Sequence, residues 1–164
     1  MVRHHVLLVH GSALCMDGQA YIFMAPSGTG KSTHSGLWRQ LFQDRVWMIN
    51  DDKPMIRVSE SEIRVYGTPW DGKHHLSRNA SAPLKAVVLL NRDDDNRIER
   101  RSKADAFRAL LKQAYVSDKP EILRKITELD KEIAEKTEFY HLFCNMRPEA
   151  ARIAWEGMNK GIPR

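Results

Sequence analysis

The chain has 164 residues, of which 42% are hydrophobic and 29% charged, and its formal net charge is +5. This composition is typical of one globular domain, spanning 1–164, that is large enough to bury a core. No apolar run approaches the roughly 20 residues that cross a bilayer, and the basic residues are dispersed among acidic ones without interleaved aromatics. We therefore expect neither a membrane nor a nucleic-acid partner, and the positive excess would instead help to attract phosphorylated ligands.

The cysteines and the first residues of the chain indicate in which cellular compartment the protein is expected. Cys15 and Cys144 lie in apolar contexts without the spacing of metal ligands, which favours reduced structural thiols. The apolar run 6–9 is too short and too polar-flanked for the core of a signal peptide, and it is better explained as a strand. Because reduced thiols are typical of the cytosol, a cytoplasmic protein is predicted.

The first third of the chain is predicted to form strands around one helix. Its apolar pattern predicts, in chain order, strands over 2–9, 12–16 and 19–24, a helix over 31–42 and a short buried strand over 46–49. Asp17-Gly18 is a strong hairpin signal, so the strand over 19–24 has an antiparallel neighbour. This argues against a plain Rossmann or Ras-like sheet, in which the corresponding strand has parallel partners.

The remaining two thirds contain further strands and then helices. The pattern predicts a hairpin over 53–58 and 62–66, a strand over 84–90, helices from residue 102 onward, a short strand over 140–144 and a closing helix over 148–158. Ser102 is a plausible N-cap and Pro120 a first-turn proline. The charged runs 92–96 and 97–101 are predicted to be solvated turns.

The residues that connect the strand over 19–24 to the first helix have the composition of a phosphate-binding loop. Glycines at 28 and 30 allow successive backbone N–H groups to turn inward, beside the positive end of the new helix. Lys31 would contact the β- and γ-phosphates, and the Ser32 hydroxyl would bind Mg²⁺. The predicted nucleotide-binding residues are Ser27, Gly28, Thr29, Gly30, Lys31, Ser32 and Thr33. The usual first glycine is Ala25 here, a change tolerable at a position that only closes the turn; the alternative is a glycine-serine turn with a chance lysine.

Asp51 and Asp52 follow the strand over 46–49, some twenty residues beyond the loop lysine. A phosphate site needs an acid for its cation, and this position suits one. Either carboxylate could bind the metal while the other accepts a proton from an attacking hydroxyl. The alternative is a solvated Asp-Asp turn of the kind that often follows a strand.

Several other side chains are candidates on weaker grounds. His10, at the junction of two strands, could bind metal or phosphate or could be a histidine at the edge of the core. His34 is predicted to be a surface neighbour of the nucleotide, and Trp70 to stack on a ligand or plug the core. The pairs His4-His5 and His74-His75 lack the partners of a zinc site, whereas the loop 67–75 is rich in functional side chains, and Arg78 and Arg92 are left open as phosphate contacts.

Taken in order, three motifs resemble those of the phosphoenolpyruvate carboxykinase and HPr kinase/phosphorylase superfamily. They are His10-x-Ser12-Ala13, the run from Ser27 to Thr33, and Asn50-Asp51-Asp52. The stretches 67–73 and 82–86 resemble small bacterial HPr-kinase-like proteins, including serine kinases that act on peptides or proteins. The resemblance implies an α/β fold in which a P-loop lies on a mixed, largely antiparallel sheet, here with C-terminal helices.

The resemblance also implies roles for individual residues. Lys31 would contact phosphate, Asp51 would be the catalytic base, and His10 would lie near the transferred phosphoryl group or a second metal ion. Ser32 and Asp52 would bind Mg²⁺ or Mn²⁺, with ATP or another purine nucleotide as the cofactor.

The sequence therefore predicts a kinase that phosphorylates a hydroxyl, with a serine on a small protein or peptide as the first choice of acceptor. A small-metabolite kinase and a non-catalytic nucleotide-binding module remain alternatives, and the oligomeric state is left open.

Overall fold

The computed structural model describes residues 1–113 and 117–159, apart from the side chain of Arg3. In this part of the chain the strands are β1 (Val6–Leu8), β2 (Ser12–Met16), β3 (Gln19–Met24), β4 (Val46–Asn50), β5 (Met55–Val58), β6 (Ile63–Tyr66), β7 (Ser81–Arg92), β8 (Arg97–Arg100) and β9 (Glu138–Cys144). The α-helices are α1 (Lys31–Phe42), α2 (Lys103–Gln113), α3 (Pro120–Lys136) and α4 (Glu149–Asn159). No helix among the described residues is both long and apolar enough to cross a membrane.

The strands form one mixed sheet in the order β1-β5-β6-β7-β3-β2-β4, with β9 paired to β7 and β8 paired to β9. Six of the pairings described are antiparallel, and the two parallel ones join β7 to β3 and to β9. The predicted mixed α/β fold is thus confirmed. β3 has one antiparallel and one parallel neighbour, β2 and β7.

The direction of the strands brings several loops to one edge of the sheet. β3, β7 and β9 run in parallel, and β4 runs the same way because it and β3 are both antiparallel to β2. The carboxyl ends of these four strands and the start of β2 therefore lie at the same edge. This edge contains the loop 25–30, the acids after β4 and the residues that precede β2.

Two apolar cores cover the two faces of the sheet. Alternate residues of β3 divide between them, as the two-residue period of a strand requires: Ile22 packs on the side of α2 and α3, whereas Phe23 packs on the side of α1 and α4. Trp38 of α1 is fully buried in the second core. The helices thus hold the sheet from both sides and fix the position of its functional edge.

Two sequence-based predictions of secondary structure were wrong. The predicted strand over 2–9 is a 3₁₀ turn, Val2–His4, followed by the three-residue β1, and His5 between them has a positive φ of 58°. The charged run 97–101 contains β8, which pairs with β9. Within β8 only Ile98 is partly buried, and it packs against α4. The guanidinium group of Arg97 lies over the ring of Phe143 at 3.8 Å.

Candidate functional site

The loop 25–30 connects the carboxyl end of β3 to the amino end of α1. Gly28 and Gly30 have φ angles of 78° and 111°, values that side-chain-bearing residues rarely adopt. No side chain caps the start of α1, and its first turn contains no acidic residue. The N–H groups at this end are therefore available to an anion, which the helix dipole also favours.

Lys31 begins α1, and its side chain is folded against the loop. Its Nζ donates a hydrogen bond of 2.9 Å to the carbonyl oxygen of Ala25, and the residue is only 8% exposed. Burial lowers the pKa of Lys31, while the carboxylates of Asp52 and Asp51 act in the opposite direction. The lysine thus lies within the electrostatic reach of both acids. Ser32 and its neighbour Thr33 are exposed.

Arg92, at the end of β7, contacts the outer side of the loop. Its Nη2 donates to the carbonyl oxygen of Gly28 at 2.7 Å, and its Nε to that of Thr29 at 3.1 Å. The guanidinium group therefore holds two loop carbonyls. The sequence left open whether Arg92 would reach phosphate, and here its hydrogen bonds go to backbone carbonyl oxygens of the loop.

A small cleft of about 20 Å³ lies beside the loop, between the start of α1 and the ends of β7 and β9. Its polar lining includes Thr33, Asn91 and Asn145, and its apolar lining includes Leu37 and Met146. The cleft thus places amide groups next to apolar surface beside the loop.

Asp51 is buried, with 5% of its surface exposed. Its Oδ1 accepts a hydrogen bond of 2.9 Å from the Ser12 hydroxyl, which also lies 2.6 Å from the hydroxyl of Ser35. Ser35 in turn donates to the backbone carbonyl of Lys31 at 3.1 Å. The other oxygen of Asp51, Oδ2, has no hydrogen-bond partner among the described residues. Buried carboxylate oxygens normally have a hydrogen-bond partner, so Oδ2 retains an unused capacity to accept a hydrogen bond or a proton.

Asp52 has different neighbours from Asp51. Its Oδ1 lies 3.4 Å from Nε2 of His10, and its Oδ2 lies 2.9 Å from Nζ of Lys53. Burial and the charge of Lys31 lower the pKa of His10, although Asp52 opposes this. His10 is therefore mostly neutral near pH 7 and faces the acid that the sequence predicted as a metal ligand.

Asn50 fixes the loop 67–75 beside the two acids. Its Nδ2 donates to the carbonyl oxygens of Thr68 and Trp70 at 3.1 and 3.2 Å, and its Oδ1 accepts from the backbone N–H groups of Asp52 and Lys53. The Thr68 hydroxyl also fixes the loop, because it donates a hydrogen bond to the carbonyl oxygen of Lys53 at 2.8 Å. One amide side chain thus connects both segments of the site.

Other candidates lie outside this arrangement. The prediction that His34 is a surface residue was wrong, because it is 3% exposed, its Nε2 accepts a hydrogen bond from Trp38, and burial lowers its pKa to about 3. Arg78 lies over the ring of Trp47. His75 contacts Asp71 within its own loop. Trp70 is 51% exposed and is not a plug in the core.

Sequence reasoning gave no role to Ser12 and Ser35. Ser12 stands in the quoted histidine-serine motif, and Ser35 lies one helical turn after Lys31. Their contact joins β2 to α1 across 23 residues, so no local pattern could have revealed it.

The chemistry of the donors fits a nucleotide-bound Mg²⁺. Mg²⁺ prefers oxygen ligands and commonly uses one or two protein groups together with phosphate oxygens and water. The Ser32 hydroxyl is exposed and the Asp52 side chain is 25% exposed, so both can be reached from solvent. No group of three or more His, Cys, Asp or Glu residues able to hold a metal by itself is found in residues 1–113 and 117–159.

Comparison with known proteins found similarity among solved structures only. No protein-family model and no curated protein matches the sequence. Among solved structures, the chain is similar to the HPr(Ser) kinase/phosphatase of Coxiella burnetii, with 10% sequence identity and a TM-score of 0.43. The match covers 79% of this chain and 97% of that chain. At this level the likeness concerns the course of the chain alone.

Proposed function

We propose that the protein is an ATP- and Mg²⁺-dependent phosphotransferase that phosphorylates a hydroxyl group. The observation that carries this proposal is the buried Asp51, whose unpartnered oxygen lies at the same sheet edge as the glycine loop and Lys31. A protein that only bound nucleotide would need no second carboxylate there beside the one that holds the cation. The whole chain, 1–164, is proposed to form one such kinase-like domain.

The loop 25–30 and the start of α1 are proposed to bind the phosphates. Ser27, Gly28 and Gly30 supply backbone N–H groups, Thr29 holds the turn by donating its own N–H to the carbonyl oxygen of Pro26, and Lys31 exchanges its bond to Ala25 for a phosphate oxygen. Ser32, Asp52 and His10 would hold the cation, and Thr33 would lie beside the nucleoside. Bound Mg²⁺ would offset negative charge on the phosphate oxygens.

Asp51 is proposed to be the base. Its Oδ2 accepts the proton of the acceptor hydroxyl as the acceptor oxygen forms its bond to the γ-phosphorus, and the bond from that phosphorus to the β,γ-bridging oxygen breaks to release ADP. The Ser12 hydroxyl holds Oδ1 and so fixes the direction of Oδ2. Lys31 and His10 steady the transferred group by charge and by hydrogen bonding.

The acceptor is proposed to be a serine of a small protein or peptide in the cytoplasm. The loop 67–75, with an exposed tryptophan and basic side chains, offers a rim along which an extended chain could lie. A small-metabolite acceptor is the alternative that the next experiment can separate.

The test follows the γ-phosphate of labelled ATP with a serine-peptide library, with a panel of small hydroxyl compounds and with water. Wild type should transfer label to a hydroxyl, and Asp51→Asn should reduce the rate of transfer at least a hundredfold while MgATP binding persists. Asp44→Asn, which changes an exposed acid in the 3₁₀ turn after α1, is the matched control and should behave as wild type. Tight MgATP binding with intact nucleotide in every mixture would instead favour a non-catalytic binding module.

A further inference from the structure

An open groove of about 650 Å³ lies beside β4, between the end of α1 and the segment 75–78. β4 pairs with β2 on one side, and no described strand pairs with its other side. Near the carboxyl end of this free side, the backbone N–H of Arg78 donates to the carbonyl oxygen of Ile49 at 3.1 Å. Backbone groups at an unpaired strand edge can pair with an extended chain from another molecule.

The groove carries positive charge that the described residues do not neutralise. Arg39 and Arg78 line it, both are exposed, and neither guanidinium group has a carboxylate partner in the described part of the chain. Arg45, by contrast, is paired with Asp17. The Cζ atom of Arg78 lies 5.8 Å from the centroid of the Trp47 ring, a contact that helps to position this cation in the groove.

The charge of the groove indicates what kind of chain binds there. A second copy of this protein would bring the same arginines to both sides of a twofold contact, and like charges oppose such a contact. Asp44 is the one acid among the described residues that line the groove. The planar guanidinium group instead donates paired hydrogen bonds to carboxylates. The surface therefore favours an acidic partner over another copy of this chain.

The groove is also close to the proposed base along the strand. Val46 and Met48, which line it, precede Asp51 by five and three residues. At about 3.3 Å per residue of strand, these separations correspond to about 10–17 Å. An extended partner has a similar rise, so its acidic residues would lie about three to five positions from the residue that meets Asp51.

We propose that this groove binds an acidic, extended segment of the acceptor protein, about three to five residues from the serine that is phosphorylated. The backbone of the segment pairs with the free side of β4, and its carboxylates bind Arg39 and Arg78. This inference rests on the proposed function, because it describes the partner that the same site phosphorylates.

The test uses paired serine peptides that differ only at the positions three to five residues from the serine. These positions are aspartate in one peptide and asparagine in the other, and two pairs place them on the amino or the carboxyl side of the serine. At low ionic strength, wild type should have about a fivefold lower KM for the aspartate peptide in one of the pairs. The difference should shrink in about 0.5 M salt, because exposed ion pairs are screened.

A charge-reversed variant tests the two arginines. Arg39→Glu combined with Arg78→Glu should abolish the preference for aspartate and should favour a matching lysine peptide instead. The control, Arg57→Glu combined with Arg124→Glu, changes the net charge equally at exposed positions of β5 and α3 and should keep the wild-type preference. The rise in melting temperature with MgATP checks that each variant is folded.

Three results would overturn the inference and leave the proposed function intact. One is an equal KM for both peptides of each pair at low ionic strength, or transfer to small compounds but to no peptide. Another is a preference for aspartate that persists in the charge-reversed variant. The third is a wild-type dimer that the charge reversal dissociates, because the groove would then bind a second copy. A wild-type protein that fails to bind MgATP would contradict the proposed function itself.

Discussion

Asp51 and Asp52 are adjacent in sequence but have different roles in the site. Both follow the end of β4, where Asp51 meets Ser12 and Gly72 while Asp52 meets His10 and Lys53. Residue types alone left open which of the two carboxylates is the base. The structure supplies what the sequence lacked, namely the neighbours of each acid.

Asp130 of α3 is a second buried acid, and it lies outside the proposed site. It is fully buried, neither carboxylate oxygen has a hydrogen-bond partner among the described residues, and burial raises its pKa to about 7. The native state keeps the proton up to that pH, whereas the unfolded chain releases it near pH 4. Ionisation of Asp130 therefore lowers the free energy of unfolding by about 1.4 kcal/mol per pH unit between these values.

His34 has the opposite dependence. Its pKa is lowered to about 3, so between roughly pH 3 and 6.5 the unfolded chain binds the extra proton and the free energy of unfolding rises with pH. The two groups offset each other over about pH 4 to 6.5 in the wild-type protein.

Asp130→Asn should reveal the pH dependence of His34, which Asp130 offsets in the wild-type protein. The variant lacks the acid, so its free energy of unfolding should rise with pH between about 4 and 6.5, and its advantage over wild type should grow up to about pH 7. Urea unfolding followed by tryptophan fluorescence from pH 4 to 8 measures both curves. Curves that stay parallel over this range would show that Asp130 does not titrate as described.

At the scale of elements, the loop 25–30 depends on its support from β7. Arg92 holds the carbonyl oxygens of Gly28 and Thr29, and turning these oxygens outward leaves loop N–H groups free to face the opposite side. Its guanidinium fork makes both bonds at once, which the single ammonium of lysine cannot reproduce in the same geometry.

Arg92→Lys should therefore weaken the affinity for MgATP by roughly five- to thirtyfold, the equivalent of about 1–2 kcal/mol for one lost charged hydrogen bond. Because the contact is exposed, the melting temperature without nucleotide should change little. Titration calorimetry compares this variant with Arg108→Lys, which keeps the charge at an exposed position of α2. Equal affinities for Arg92→Lys and wild type would mean that the loop holds its shape without Arg92.

The sequence predicted some elements well because their signals are local. The helix over 31–42 and the strands over 12–16 and 19–24 have the predicted bounds, and Asp17-Gly18 forms the turn between the strands with positive φ at both residues. β8 was not predicted because Ile98 is its only hydrophobic residue, so no alternating pattern is visible. The strand is stabilised by pairing with a strand some forty residues away. Contacts across the sheet, such as that between Ser12 and Ser35, are absent from any local pattern.

At the scale of the whole molecule, the order of the strands creates the site. Four strand ends and the start of β2 meet at one edge, and the helices on both faces cover the two cores beneath it. The glycine loop, the acids and the loop 67–75 are therefore held by one framework. We expect the chain to unfold as one unit, since both cores share the residues of a single sheet.

Scanning calorimetry of wild type and Lys31→Ala, with and without MgATP, tests most directly whether the loop 25–30 and Lys31 bind the phosphates of MgATP. Wild type should show one transition that moves several degrees higher with saturating MgATP, and less with ATP in the presence of a chelator. Lys31→Ala should unfold in one transition near the wild-type temperature and gain little or nothing from MgATP. An equal rise in melting temperature in both proteins, or no rise in wild type, would contradict this assignment of the phosphate site.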